Sequence, residues 1–261
     1  MATTAKRFVT KAGEEQAERG FFRTLTILIA LGIVAGFSLN LATGRSTFAV
    51  PWPYHAHAFV FFGWVALFVT QSVLISDGNA ALHRTLGTIA YLWVPLMVVM
   101  GLFMITAVMH RNGGPFFFAQ NVFLFSNPAH LLAFALLTLT GLRVRRHAGW
   151  HRRLLICGFA ILSGPGLGRI IPLYLTIPYG WHVMLASVLV FPVAGMIRDK
   201  RRTGRVHPAW LWGVGTLLVF QAAADMIAYS QFGIDLTRQF LAGTPGAERP
   251  MEAFLPPGFA M

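Results

Sequence analysis

Residues 46–76 read STFAVPWPYHAHAFVFFGWVALFVTQSVLIS and contain no Asp, Glu, Lys or Arg. A helix needs about 20 apolar residues to cross the hydrocarbon core of a bilayer. This stretch is therefore long enough for one transmembrane helix, and it decides the fold class because six further stretches also lack charge. They are 24–44, 85–110, 112–142, 154–168, 170–197 and 206–224.

The composition agrees with a membrane protein. Of the 261 residues, 56% are hydrophobic and only 11% are charged, whereas about 25% of a soluble domain is charged. We therefore predict an all-α, polytopic integral membrane protein in which the second to fifth of seven transmembrane helices form a central four-helix bundle. The predicted spans are 21–42, 55–76, 84–109, 128–145, 151–173, 181–197 and 208–230.

The positive charges are distributed unevenly between the two sides that seven spans define. Of the 21 Lys and Arg residues, sixteen lie in the N-terminal segment and beside the loops after spans two, four and six, and five lie on the other side. Cytoplasmic loops carry such an excess of cations, so the N-terminus is predicted to be cytoplasmic and the C-terminus extracytoplasmic. The net charge of +12 then reflects topology and attraction to the lipid bilayer, and no nucleic acid partner is needed.

This topology divides the chain into three parts. Residues 1–20 are polar, lack the apolar core of a signal peptide and are predicted to form a cytoplasmic segment; 21–230 form the membrane domain; 231–261 form an extracytoplasmic tail that is irregular in its Gly- and Pro-rich last part. The single Cys157 excludes an intramolecular disulfide and a cysteine-based metal or iron–sulfur site. Arginine outnumbers lysine, and Ala and Gly are abundant, which favours a bacterial inner membrane as the location.

Four histidines, His57, His83, His130 and His151, each lie near the start of a different predicted span. Because chain direction alternates from span to span, His57 and His130 are predicted at the outer surface and His83 and His151 at the inner surface. The pattern also repeats, since each half has an outer histidine, a descending helix, an inner loop and a His-Arg pair. A four-helix bundle with this arrangement could hold one cofactor near each surface.

Local signals refine these positions. Asn127 followed by Pro128 is a good N-cap and first-turn pair, which places His130 in the first turn of its helix. The positive end of a helix disfavours an imidazolium ion, so these histidines are predicted to be neutral, and a neutral imidazole can ligate a metal.

Helical phase adds Arg169 to the candidate site. Residues eighteen apart coincide after five helical turns, so Arg169 is predicted on the face of His151 at the opposite surface. An arginine in a membrane segment usually faces a partner, for which a cofactor carboxylate would serve. Gly87 and Gly158 follow their histidines on the same faces and are predicted to leave room for a flat ring.

These short motifs give the chain a resemblance to known proteins over residues 54–173. The sequence resembles the ascorbate-type di-haem cytochrome b family and a related group of uncharacterised bacterial polytopic membrane proteins. The motifs that carry the resemblance are Tyr54-His55-Ala56-His57, His83-Arg84-Thr85-Leu86-Gly87, Asn127-Pro128-Ala129-His130, His151-Arg152-Arg153-Leu154 and Gly168-Arg169-Ile170-Ile171-Pro172.

The resemblance implies two b-type haems. His57 with His130 would bind the outer haem, His83 with His151 would bind the inner one, and Arg169 would face a haem carboxylate. The implied function is that of a transmembrane electron-transfer oxidoreductase, which passes electrons from a quinol or other small reductant to an extracytoplasmic acceptor.

A second hypothesis is a metal site built from outer histidines, because three converging imidazoles would suit zinc, copper or non-haem iron. The sequence has neither an HExxH motif nor a carboxylate cluster to accompany such a site. The candidate ligands are His55, His57, His110, His130 and His182.

A third hypothesis is a cofactor-free membrane subunit or scaffold of a larger complex. The aromatic stretch 115–125 and the C-terminal tail would then contact a membrane protein partner. Under this hypothesis the histidines cap or line the interface, and Arg169 snorkels to the outer surface. Asp225 follows Gln221 by one helical turn. Its role stays open between a proton relay, a substrate contact and a solvated carboxylate.

Overall fold

The computed structural model describes the backbone of residues 2–258 and the side chains of residues 13–258. Within this part of the chain there are ten α-helices and no strands, which confirms the predicted all-α class. The helices are α1 (Ala2–Ala42), α2 (Trp52–Ser76), α3 (Ala80–Gly87), α4 (Ala90–Asn112), α5 (Gln120–Arg143), α6 (Ala148–Ile161), α7 (Gly164–Ile170), α8 (Gly180–Thr203), α9 (Pro208–Ala228) and α10 (Gln231–Leu241).

Six of these helices are long and apolar enough to cross a membrane: α1 over Gly13–Ala42, α2, α4, α5, α8 and α9. The short helices α6 and α7 together form a seventh candidate span, which is bent by 47°. The predicted polytopic membrane fold is therefore confirmed. We call the end of the helices that carries the loops 77–79, 144–147 and 204–207 the inner end, and the opposite end the outer end.

Helix α5 lies at the centre of the molecule. It packs most extensively against α6 and α9, and next against α4. Helix α9, the last span in chain order, therefore belongs to the core, although the prediction placed only the second to fifth spans there. Small residues permit this close packing: a side chain at Gly213 of α9 would collide with Cys157 of α6.

The predicted start of the fourth span is wrong. Helix α5 begins at Gln120, with Pro128 inside it and Asn127 as an ordinary helical residue. Proline is tolerated inside membrane helices because neighbouring groups satisfy the freed carbonyl. The Asn127-Pro128 pair therefore does not mark the start of this helix. His130 consequently lies about 15 Å along the helix from Gln120, and not in the first turn.

The third span is also divided. His83 lies on the short helix α3, and the membrane helix α4 begins only at Ala90, whereas the prediction had a single helix over 84–109. Asn79 caps α3, since its side-chain oxygen accepts a hydrogen bond from the Leu82 amide at 3.2 Å. At the chain's start, α1 extends the first span through the polar segment that was predicted to precede it.

Arg169 was predicted to lie on the same helical face as His151, and the bend between α6 and α7 shows that this prediction is wrong. Pro165 occupies the first turn of α7, and proline cannot donate the hydrogen bond that would continue α6. Gly166 packs directly against the backbone of α1, where a Cβ atom would lie 2.6 Å from Ile33 Cα. A straight helix is therefore interrupted, and positions eighteen residues apart no longer share a face.

Candidate functional site: the inner histidine pair

The structure brings His83 and His151 together at the inner end. Their ring centres are 6.3 Å apart and the ring planes are nearly perpendicular, at 85°. His83 is the fourth residue of α3 and His151 the fourth residue of α6. The loops before these two helices thus deliver two imidazoles to one place, as the alternation of chain direction predicts.

Hydrogen-bond acceptors on the backbone lie beside both rings. His151 Nδ1 is 2.8 Å from the carbonyl oxygen of Gly141, and His83 Nδ1 is 3.2 Å from the carbonyl oxygen of Gln71. Because a carbonyl oxygen only accepts, a ring nitrogen bound to it carries the proton, and Nε2 then presents a lone pair. Metal-ligating histidines commonly have this arrangement.

The side chain of Gln71 controls the proton on His83. Its amide suits its neighbours with the nitrogen toward His83, where it donates to the His83 carbonyl oxygen at 3.0 Å while its oxygen accepts from the Gly87 amide at 2.9 Å. The same nitrogen is 2.6 Å from His83 Nδ1, so this orientation makes Nδ1 an acceptor and moves the proton to Nε2. The reverse orientation returns the proton to Nδ1. Gln71 therefore selects which His83 nitrogen can bind a metal.

His83 is neutral near pH 7. Partial burial lowers the pKa of its imidazole, the carbonyl of Gln71 opposes this by favouring the protonated ring, and the nearby charge of Arg84 lowers the pKa further. An imidazole ligates a metal in its neutral form, so the electrostatics of the site are compatible with coordination.

The spacing of the inner pair also fits a shared metal. Two imidazoles that coordinate one metal from opposite sides, each through a metal–nitrogen bond of about 2.0–2.1 Å, have ring centres roughly 6 Å apart. The ring separation of 6.3 Å between His83 and His151 matches this value. The two imidazoles would therefore be close enough to hold one metal between them, and the same separation is ordinary for two packed aromatic rings.

The outer histidines, His57 and His130, show no ring contact comparable to that of His83 and His151. The ring of His57 stacks on Phe61 at 4.2 Å. His130 Nε2 lies 2.7 Å from the side-chain oxygen of Gln221, and its ring lies 5.3 Å from that of Trp181. Each outer histidine thus has its own neighbours, and the described contacts do not join the two rings.

Gln221 organises a buried polar cluster at the outer end. Its side-chain oxygen also accepts from Trp181 Nε1 at 2.9 Å, and its nitrogen donates to Ser126 Oγ at 3.0 Å and to Asp225 Oδ1 at 2.8 Å. Asp225 Oδ2 lies 3.1 Å from His182 Nε2. Asp225 is thus held by neighbours and is not simply solvated. The sequence marked Gln221 and Asp225 but gave no signal for Trp181 or Ser126.

Arg169 lies near His57 and has no acidic partner among the described side chains. Its guanidinium donates to the carbonyl oxygen of Pro165 at 2.6 Å and lies 4.0 Å above the ring of Phe37. Its charge acts on His57. The cation therefore lies against the outer part of α1 and is partly exposed.

The hypothesis of converging outer imidazoles is wrong for the described residues. No group of three or more His, Cys, Asp or Glu side chains between residues 13 and 258 is placed to hold a metal ion. His110 Nε2 instead lies 3.1 Å from the carbonyl oxygen of Phe240, and His182 is engaged by Asp225. Helix geometry alone separates His55 from His57, since residues two apart point in different directions.

The aromatic stretch 115–125 contacts the chain's own tail. Gln120 donates to the carbonyl oxygen of Gly246 at 2.7 Å, and the Phe254 amide donates to Phe116 at 3.0 Å. Arg249 donates to the carbonyl oxygens of Gly114 and Phe118, both at 2.8 Å. Phe118 is buried. This stretch is therefore largely covered, and the tail begins with the helix α10.

The two glycines beside the inner histidines differ. A Cβ atom at Gly158 would lie 2.7 Å from Thr138 Oγ1, so this glycine permits the close approach of α5 and α6 and leaves no space for a flat ring. A Cβ atom at Gly87 would meet only Gln71 Nε2, at 4.0 Å, so the side of this glycine is open.

An ion-pair cluster at the inner end was missed by the sequence analysis. Arg153 donates to both carboxylate oxygens of Asp199 at 2.9 Å, and Trp210 Nε1 donates to Asp199 Oδ2 at 2.9 Å. Arg153 also lies 3.2 Å from Glu18 of α1. The cluster joins α1, α6, α8 and α9, and the positive-inside pattern had explained these arginines by topology alone.

No protein-family model, no curated protein and no solved structure matches this chain. The functional argument therefore depends on the geometry of the site.

Proposed function

We propose that this protein is an integral membrane electron-transfer protein that holds a b-type haem between His83 and His151 at its inner end. The observation that carries the proposal is the 6.3 Å separation of the two imidazole rings, each with a backbone carbonyl beside Nδ1. A haem held by these two imidazoles would supply electron transfer.

The surrounding residues prepare the two imidazoles for this task. Gly141, in the last turn of α5, accepts from His151 Nδ1 and so fixes the ring and leaves Nε2 as the ligand atom. For His83, the amide orientation of Gln71 that suits its neighbours places the proton on Nε2, so ligation through this nitrogen would need the Gln71 amide to turn.

The number of haem centres decides how far the electrons travel. A single centre at the inner end supports transfer from a quinol or other small reductant to a partner at that surface. Transfer to an extracytoplasmic acceptor needs a second centre, for which the resemblance implies His57, His130 and Arg169. We include only the inner centre in the proposal because the outer donor set does not fit.

The test is the visible absorption spectrum of the protein purified from haem-replete cells. We expect a low-spin haem band at one haem per chain, and its loss in His83→Ala and in His151→Ala. His147→Ala is the matched control, because His147 is an exposed histidine at the same end and should keep the band.

Two results would change the proposal. A colourless wild-type protein would reject it and favour the cofactor-free hypothesis. Two haems per chain, one of them lost in His57→Ala and in His130→Ala, would restore the complete di-haem scheme that the resemblance implies.

A further inference from the structure

Two outer arginines lie beside the first turns of α2 without an acidic partner. Arg111, at the end of α4, lies 5.6 Å from the ring centre of Tyr54, and Arg169 lies over Phe37. His57, one turn after Tyr54, is within electrostatic range of Arg169. Neither arginine takes part in an ion pair among residues 13–258.

None of the four acidic residues of the outer end, Asp225, Asp235, Glu248 and Glu252, forms an ion pair with Arg111 or Arg169 among the described residues. Asp225 binds His182 and Gln221, and Asp235 pairs with Arg238 at 3.1 Å. An arginine within a membrane segment is energetically costly and normally faces an anion or a polar partner. Within residues 13–258, Arg169 makes one side-chain hydrogen bond, to the carbonyl oxygen of Pro165, so most of its five N–H donors remain for another acceptor.

The surroundings of the two arginines are those of a lipid interface. Phe48, Trp52 and Phe59, which flank the start of α2, are 73–75% exposed, and Ile170 beside Arg169 is exposed as well. An exposed tryptophan at the start of a membrane helix, such as Trp52, is typical of the headgroup level of a membrane. An anion that reaches Arg169 from the side would therefore come from the bilayer.

We infer that Arg169 and Arg111 bind the phosphate group of a phospholipid in the outer leaflet, beside His57 and the start of α2. A guanidinium binds phosphate through paired, charge-assisted hydrogen bonds. The exposed aromatic side chains lie against the acyl chains, and the phosphate neutralises Arg169. This site is independent of the haem proposed at the inner end.

The inference is tested with delipidated protein in detergent. The probes are a short-chain phosphatidylglycerol, the diacylglycerol with the same acyl chains, and inorganic phosphate. The readouts are native mass spectrometry and the unfolding temperature followed by tryptophan fluorescence. We expect phosphatidylglycerol to bind and to raise the unfolding temperature, and the other two probes to have little effect.

Variants assign the site. Arg169→Gln should weaken phosphatidylglycerol binding by about tenfold or more, as expected for the loss of hydrogen bonds to a charged group. Arg238→Gln should bind like the wild type, because Arg238 is an exposed outer arginine already paired with Asp235. Arg111→Gln should weaken binding as well, and it keeps the test decisive if Arg169→Gln fails to fold.

Three outcomes overturn the inference. Equal binding of diacylglycerol and phosphatidylglycerol would remove the phosphate from the explanation. An equal effect of inorganic phosphate would make the ligand a soluble anion. Wild-type affinity in Arg111→Gln together with wild-type affinity in any folded Arg169→Gln would place the lipid elsewhere.

Discussion

Gln221 and His130 are joined by a hydrogen bond of 2.7 Å between α9 and α5, inside the outer half of the protein. Ninety-one residues separate them in sequence. All four hydrogen-bonding positions of the Gln221 amide are occupied, by His130, Trp181, Ser126 and Asp225. The amide therefore joins three helices and gives the buried imidazole of His130 a hydrogen-bond partner.

We expect Gln221→Leu to destabilise the protein by about 1–3 kcal/mol. The substitution leaves the buried side chains of His130, Trp181 and Ser126 without a partner, and unsatisfied buried polar groups cost about this much each, although measured hydrogen bonds in membrane proteins are weaker. The measurement is the free energy of unfolding in detergent micelles.

Gln231→Leu is the matched control for that variant. Gln231 is an exposed glutamine on α10 that bonds only to Asp235, so its loss should change the free energy of unfolding by less than about 0.5 kcal/mol. Equal destabilisation by the two substitutions would contradict the role given to the Gln221 cluster.

The same cluster illustrates how far the sequence predicts this structure. Membrane spans can be predicted from sequence because charged residues are absent from them. Seven spans were predicted, and the structure has six apolar helices and one bent pair of helices that could be a seventh. Trp181, Ser126 and His130 meet Gln221 only through tertiary packing, so no local pattern points to their contacts. By contrast, His83 and His151 could be paired from sequence, since chain alternation alone puts both at one surface.

Two of the errors in the predicted helices, at Pro128 and at Pro165, have one physical origin. Proline was read as a helix boundary in the manner of soluble proteins, but Pro128 lies inside α5. Pro165, in contrast, lies in a span that was predicted to be one continuous helix. In the structure α7 begins at Gly164, and the axis bends by 47° between α6 and α7. Whether a membrane helix tolerates proline depends on the neighbours that satisfy the freed carbonyl, and these neighbours are set by the tertiary fold.

Breaking the inner ion pair should be more damaging than any surface change. We expect Asp199→Asn to lower the free energy of unfolding by about 1.5–3 kcal/mol, because the buried Arg153 loses one of its two carboxylate partners and keeps Glu18. The buried Trp210 keeps at most a neutral acceptor. Thermal unfolding in detergent provides the measurement.

Asp77→Asn provides the comparison for Asp199→Asn. Asp77 pairs with Arg23 at 3.0 Å, but both side chains are largely exposed, and exposed pairs contribute about 0–1 kcal/mol. If Asp199→Asn were no more harmful than Asp77→Asn, the four-helix junction at Arg153 would not depend on its charge pair.

The orientation predicted from charge remains to be measured. We expect reporter fusions after residue 250 to be active only in the extracytoplasmic compartment, and fusions within 77–79 or 144–147 only in the cytoplasm, because sixteen of the 21 cations lie on that side. A cytoplasmic C-terminus would mean that one candidate span, most plainly the bent pair α6 and α7, does not cross the membrane.

His207 should make the stability of the inner end depend on pH. It is the N-cap of α9, where Nδ1 accepts a hydrogen bond from the Ala209 amide at 3.1 Å. Burial lowers its pKa, the charge of Arg153 lowers it further, and the carboxylate of Asp199 opposes both effects. A protonated ring would also lose the acceptor that caps the helix.

The sign of this dependence follows from the lowered pKa. Between the unfolded value of 6.5 and the lower folded value, the unfolded chain takes up a proton that the folded protein excludes, so stability falls as pH falls through this window. We expect the free energy of unfolding to drop between pH 7.5 and 5.5 by less in His207→Asn than in the wild type. Asparagine keeps a side-chain acceptor at the cap and does not titrate, and the remaining drop in the variant reflects other groups, including His83. Identical pH profiles for the wild type and His207→Asn would show that His207 has the same pKa in the folded and the unfolded protein.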